Sequence, residues 1–192
     1  MKLVKENEMW YGLRKEIVFI PLGSVWRTQL YREELIKAAS IYEREARIIN
    51  LSLPIKERAY NPRRRQFNAL TLLDQICKLY LDADRTLRIG VTAADIYVPG
   101  RNFIFGIADS SKGCAVMSVA RLTYAQYDAS SELLKERVLK TASHELGHLF
   151  GLYHCANSEC LMSPSNTIAE VDRKKTTICD KCRSMLELDQ LK

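Results

Sequence analysis

The apolar positions of this chain change period as it runs. Ile17-Val18-Phe19-Ile20-Pro21-Leu22 is apolar without a break, which predicts a strand buried on both faces and ended by Pro21 and Gly23. Over residues 29–47 the period becomes helical. Leu30, Leu35, Ala38, Ala39, Tyr42 and Ala46 fall broadly on one side, and Glu33, Glu34, Lys37, Glu43 and Arg44 on the other. Residues 48–53 then alternate, predicting a second strand, and strand, helix, strand is the signature of a parallel crossover. After Asn61-Pro62 a second helical stripe runs through Phe67, Leu70, Leu73, Ile76, Cys77 and Tyr80, predicting a helix over 64–82. The run Arg63-Arg64-Arg65 at its start reads as a solvated face rather than an anion site.

Three more strands are predicted over residues 87–92, 102–107 and 115–120. The last two are joined by a short polar loop holding Gly113, which suits an antiparallel hairpin. The sheet is therefore expected to be mixed, with Asn102–Ile107 at an edge whose free backbone groups can pair with an extended peptide. Capping residues between Asp128 and Ser131 open a long helix with a core stripe of Val138, Ala142 and Leu149. Past residue 154 the chain is loop-rich. Met162-Ser163-Pro164 makes a turn, residues 170–177 read as a charged, flexible stretch, and residues 180–188 close as a short helix. The first 15 residues are polar and poorly periodic, with Trp10 and Tyr11 expected to dock on the body.

Composition sharpens this picture modestly. At 192 residues and 47% hydrophobic, the chain suits one domain with a core of its own. The net charge of +6 is not clustered enough to argue for nucleic acid, and no such partner is expected. The charged N-terminal stretch has no apolar core of a signal peptide and no segment is long enough to span a membrane, so the expected location is cytoplasmic. Too little chain precedes the first strand for an inhibitory pro-segment. A monomer is expected.

The candidate chemistry lies in one stretch. All three histidines, His144, His148 and His154, fall in an 11-residue window, with Glu145 beside the first. On a helix, His144 and His148 point about 40° apart around the axis, and both lie roughly 80–160° from the core stripe. Gly151 offers the turn that lets His154 swing back to the same point. Three neutral imidazoles leave a fourth zinc position open, and Glu145 is the natural base for a water there.

The six cysteines divide unequally. Cys77 and Cys114 sit alone in apolar stretches and are expected to be buried and inert. Cys155, Cys160, Cys179 and Cys182 form C-x4-C and C-x2-C pairs. In a reducing compartment that pattern favours a tetrahedral zinc–thiolate site over disulfides.

The run His144-Glu145-Leu146-Gly147-His148-Leu149-Phe150-Gly151-Leu152-Tyr153-His154, followed by Met162 in a turn, resembles the metzincin zinc peptidases. The four cysteines, with Asp95-Ile96-Tyr97-Val98-Pro99 and Asn102-Phe103-Ile104-Phe105-Gly106 upstream, narrow this to a resemblance to the archaemetzincins. The resemblance implies an α/β (α+β) metzincin-like fold. Its upper part, residues 1–151, would hold a twisted, mixed five-stranded sheet, two long helices and the active-site helix. A smaller zinc-stabilised part, residues 152–192, would follow. It implies two zinc ions per chain: a catalytic one on His144, His148 and His154 above Met162, and a structural one on Cys155, Cys160, Cys179 and Cys182. Glu145 would be general base and acid in the hydrolysis of a peptide or protein substrate. The alternative is a catalytically weak or inactive zinc-stabilised binding module.

Overall fold

In a computed structural model of the chain, residues 16–23, 29–79, 81, 86–123 and 131–189 are described. The expectations for Trp10, Tyr11, Tyr80 and the caps at 128–130 lie outside these residues. The first strand, β1 (Glu16–Leu22), shows why an unbroken apolar run was needed. Ile17 and Phe19 belong to one core cluster, and Val18, Ile20 and Leu22 belong to another on the opposite face of the sheet. Both faces are covered, so alternation disappears from the sequence.

The main sheet contains β2 (Ala46–Ile48), β1, β5 (Thr86–Thr92), β8 (Cys114–Ser118) and β7 (Gly106–Asp109), in that spatial order. The first four strands run parallel, and β7 pairs antiparallel with β8 at the edge. A second, small sheet orders β3 (Tyr60–Asn61), β4 (Gln66–Asn68) and β6 (Ile96–Tyr97). Helices α1 (Arg32–Ser40) and α3 (Glu132–Leu149) cover one face of the main sheet, and α2 (Ala69–Cys77) covers the other. Two short helices, α4 (Ile168–Arg173) and α5 (Asp180–Asp189), follow the active-site helix. The fold is the mixed α/β type that the sequence implied.

The differences from expectation have local causes. The first helix ends at Ser40, because Glu43 turns the backbone left-handed (φ 56°) before the chain enters β2. The second strand is correspondingly short. Residues 49–53 continue alongside β1 through the Ile49 N–H to Phe19 C=O and Leu53 N–H to Pro21 C=O bonds rather than as a full ladder. The second helix starts at Ala69, where the Asn68 side chain accepts from the Leu70 N–H at 2.9 Å. It stops at Cys77, where the buried Arg88 guanidinium donates to the carbonyls of Cys77 and Leu79. The three arginines therefore lie in the turn before β4, not on that helix. Arg64 is bonded to the Arg101 and Asn102 carbonyls.

Those two bonds also explain why the edge strand begins at Gly106 and not at Asn102. The Asn102 carbonyl is taken by Arg64 and Gln66, and the Ile104 N–H goes to Ile96, so the chain joins the sheet only later.

Two expectations about side chains are corrected. Cys77 and Cys114 are not isolated. Folding brings the end of α2 against β8, with the two Cα atoms 5.4 Å apart and the sulfurs joined in a disulfide. Their separation of 37 residues carries no local signal of that pairing. Residues 170–177 do not form a charged flexible stretch. Thr167 and Glu170 make a reciprocal capping box that starts α4, whose Ile168 and Val171 are buried. Arg137 of α3 then grips Asp172 through two 2.7 Å bonds.

Candidate active site

The active-site helix α3 opens with Ser131 accepting from the Leu134 N–H and ends in a double-bonded turn. The Gly151 N–H bonds to the His148 carbonyl at 3.0 Å, and the Leu152 N–H bonds to the Gly147 carbonyl at 2.9 Å. Gly151 carries the left-handed φ of 86° that this turn requires. From Arg137 to Gly147 every residue of the helix is buried. The expectation of a helix with one packed side is therefore corrected: α1, the sheet edge, α4 and the 160–163 segment enclose it, and His144 lies inside.

The turn brings the three histidines together, with their ligand nitrogens all within 4.8 Å of one another. His144 is buried, His148 half-buried and His154 exposed. The far nitrogens of the first two are held by backbone. His144 Nδ1 bonds to the Leu161 carbonyl at 2.9 Å and His148 Nδ1 to the Leu152 carbonyl at 2.7 Å. A carbonyl only accepts, so both Nδ1 atoms carry the proton and both Nε2 atoms present lone pairs. Those two nitrogens lie 3.2 Å apart, an arrangement that a cation held between them would stabilise. Two nitrogens about 2.0–2.1 Å from a tetrahedral zinc would be about 3.3–3.4 Å apart, so the donor set fits zinc. Burial holds all three imidazoles below their ordinary pKa, which keeps them neutral.

Glu145 lies wholly inside the protein, and burial pushes its carboxyl up to about 8. Its Oε2 has no hydrogen-bond partner. On the other side Oε1 presses against Gly106 of the edge strand, where any Cβ would overlap it. Beneath the histidines, Met162 packs its sulfur against Gly147, where again a Cβ would overlap. The Tyr42 hydroxyl bonds to the Ser143 carbonyl at 2.7 Å and reaches the same sulfur at 3.8 Å. The three histidines, Glu145 and Gly106 line a cavity of about 720 Å³ beside the edge strand.

The second cluster sits one residue further along. Cys155, Cys160, Cys179 and Cys182 converge, with Sγ–Sγ distances of 3.8 Å for Cys155–Cys179 and for Cys160–Cys182. Four sulfurs about 2.3 Å from a tetrahedral zinc would be spaced at about 3.8 Å. This set also fits the ion. The Cys155 N–H bonds to the Met162 carbonyl at 2.9 Å, tying the cysteine cluster to the floor of the histidine cluster.

The sequence pattern described as Peptidase family M54 matches residues 28–188, which spans both clusters. The chain belongs to peptidase family M54. Membership makes it a zinc metallopeptidase, a hydrolase whose substrates are peptides or proteins. Among its M54 relatives, the archaemetzincin of Pyrococcus abyssi is 38% identical over 177 residues, covering 89% of this chain and 94% of that one. The crystal structure of archaemetzincin from Methanopyrus kandleri superposes with a TM-score of 0.82 at 32% identity, over 94% of this chain and 98% of that one. The archaemetzincin of Archaeoglobus fulgidus, solved in complex with malonate, superposes with a TM-score of 0.73 at 37% identity, over 88% and 98% of the two chains. No helix among the described residues is long and apolar enough to cross a membrane.

In this M54 chain the fold brings together every residue singled out at the two clusters. It also brings in residues that pattern alone did not reveal. Tyr42 arrives from the turn after α1, 101 positions before the carbonyl it holds. Lys174 is buried at the end of α4, lines the cavity and donates to the Ser163 carbonyl at 3.1 Å. Burial lowers its ammonium to about 8. A signal for it existed in Thr167-Ile168-Ala169-Glu170-Val171, a capping box with an i, i+3 apolar pair, which predicts a docked helix rather than a loop.

Proposed function

We propose that the histidine cluster is the catalytic centre, that His144, His148 and His154 hold its zinc, and that Glu145 moves the proton in peptide-bond hydrolysis. Cys155, Cys160, Cys179 and Cys182 hold a second, structural zinc that fixes residues 152–192 as the smaller subdomain below residues 1–151. The observation that carries this reading is the Glu145 carboxylate: fully buried, one oxygen without a hydrogen-bond partner among the described residues, next to three converging imidazoles on an open cavity. A buried polar atom without a partner is costly unless something else occupies the site during function.

Bound zinc would supply a Lewis acid that polarises the scissile carbonyl and brings the pKa of a water towards about 7. The protein does the rest. Among the described residues no strand pairs with the outer edge of β7, and Gly106, Ile107 and Ala108 line the cavity, where an extended substrate can add as a further strand. Glu145 Oε2 takes the proton of the attacking water and delivers it to the departing amine nitrogen. The close approach of Gly106 to Oε1 leaves the carboxylate little room to turn.

The test is the pair Glu145→Ala and His154→Ala. Glu145→Ala is expected to keep its metal content and lose about 10²–10⁴-fold in kcat. His154→Ala is expected to lose activity and one equivalent of zinc. Wild-type turnover by Glu145→Ala would remove the carboxylate from the mechanism, and metal loss in that variant would make it a ligand instead.

A further inference from the structure

The cavity has an uneven charge. Its lining includes two cations, Lys174 and Arg101, and among the described residues Glu145 is its only carboxylate. Glu145 already has a part in the proton transfer. Lys174 is 4% exposed and uses one of its three N–H donors, on the Ser163 carbonyl. It forms no ion pair among the described residues, whereas the equally buried Arg137 and Lys140 are paired with Asp172 and Glu136. Arg101 approaches from the rim, with Nη1 donating to Asn166 Oδ1, and it too has no acidic partner among the described residues. Between them, Ser165 lines the same cavity with a buried hydroxyl that has no hydrogen-bond partner.

The main acidic influence on the Lys174 ammonium is Glu145, which the proton transfer occupies; a buried ammonium with no ion pair of its own among the described residues is costly, and an incoming anion would relieve that cost. The spare donors are of the kind that binds a carboxylate in charge-assisted hydrogen bonds. We infer that the cleft selects peptides carrying a carboxylate close to the scissile bond, gripped by Lys174 from the wall and Arg101 from the rim, with the Ser165 hydroxyl as a further donor. This rests on the proposed peptidase site, since it assigns the substrate of that site. The carboxylate has two sources, an Asp or Glu side chain or the free C-terminus of a short peptide. Carboxylate recognition adds no chemistry to the hydrolysis. It sets which peptide is held with its carbonyl over the histidines.

The experiment uses the zinc-loaded full chain and matched peptides that differ only as Glu against Gln near the cleaved bond, or as free acid against amide at the C-terminus. The expected result is a kcat/KM ratio of at least about tenfold in favour of the acid in one of the two pairs, because a site built around charged donors rejects the analogue that leaves them unpaired. The pair that shows the preference identifies the source. In Lys174→Met that ratio is expected to fall towards one, and Lys174→Arg is expected to restore part of it. Equal rates on both members of both pairs would overturn the inference. So would Lys174→Met slowing acid and neutral peptides by the same factor, which would make Lys174 a positioning residue for Glu145. Affinity of Glu145→Gln protein for the same peptides, measured by calorimetry, separates the two claims. A tenfold preference for the acid with no hydrolysis by wild type would keep the carboxylate site and refute the hydrolase reading. Equal affinities would refute the carboxylate site even where hydrolysis is robust.

Discussion

The histidine and cysteine clusters are neighbours in sequence and differ in almost every physical respect. The histidines range from buried to exposed across one short span, the outer nitrogens of His144 and His148 are held by backbone carbonyls, and all three border a cavity. The cysteines close on themselves. Cys160 and Cys182 belong to the main apolar core, and Cys155 and Cys179 pack against it. The first set borders a cavity of about 720 Å³, and the second has Cys160 and Cys182 in the core with only a smaller recess of about 210 Å³ beside it. Three ligands on an open wall make a workplace, and four ligands inside a core make a joint. On the proposed two-zinc reading, the same ion would do different work in the two places, and that difference can be attacked experimentally.

The largest effect should come from the joint. Cys160→Ser removes a ligand whose side chain lies in the core, so the expected outcome is loss of one zinc and a fall in Tm of roughly 10 °C or more, because metal binding at such a site contributes folding free energy. A Tm within error of wild type would erase the distinction between the clusters. Graded chelation comes next. Activity should disappear at chelator levels that leave far-ultraviolet circular dichroism unchanged, and the second zinc should leave only as the fold melts. Simultaneous loss of both would mean that the two sites do not differ in closure. A smaller effect is expected at Gly106→Ala. The new methyl group must displace the Glu145 carboxylate, so kcat should fall about 10–100-fold with zinc content intact, the order expected for a displacement of about 1 Å. The smallest is Tyr42→Phe, which removes the bond to the Ser143 carbonyl. Its expected cost of about 1 kcal/mol corresponds to roughly 2–4 °C in Tm, with zinc content unchanged.

What could be read in the chain beforehand follows from where the information lies. The strands β1 and β5 and the edge position of β7 were legible, because burial on both faces or a tight hairpin leaves a local pattern. The ends of α1 and α2 were not. They are set by a left-handed Glu43, by the Asn68 cap and by Arg88 reaching in from β5, and only the second of these is visible in a local pattern. At the site, the seven clustered side chains were legible because metal-ligand spacing is short-range. Tyr42 and the Cys77–Cys114 disulfide act across long stretches of chain, and a single sequence holds no trace of such distances, whereas Lys174 was legible in principle through the capping box that docks α4 beside the cavity.

One peptide bond joins His154 to Cys155, and the Cys155 N–H is anchored to the Met162 carbonyl under the histidines. A ligand of one cluster therefore cannot shift without dragging a ligand of the other. Occupancy of the two sites is then bound by a reciprocity that no detail of packing can evade: whatever factor a filled cysteine cluster adds to affinity at the histidines, a filled histidine cluster returns to the cysteines. On the proposed two-zinc reading, filling either cluster would change the affinity of the other through that single amide.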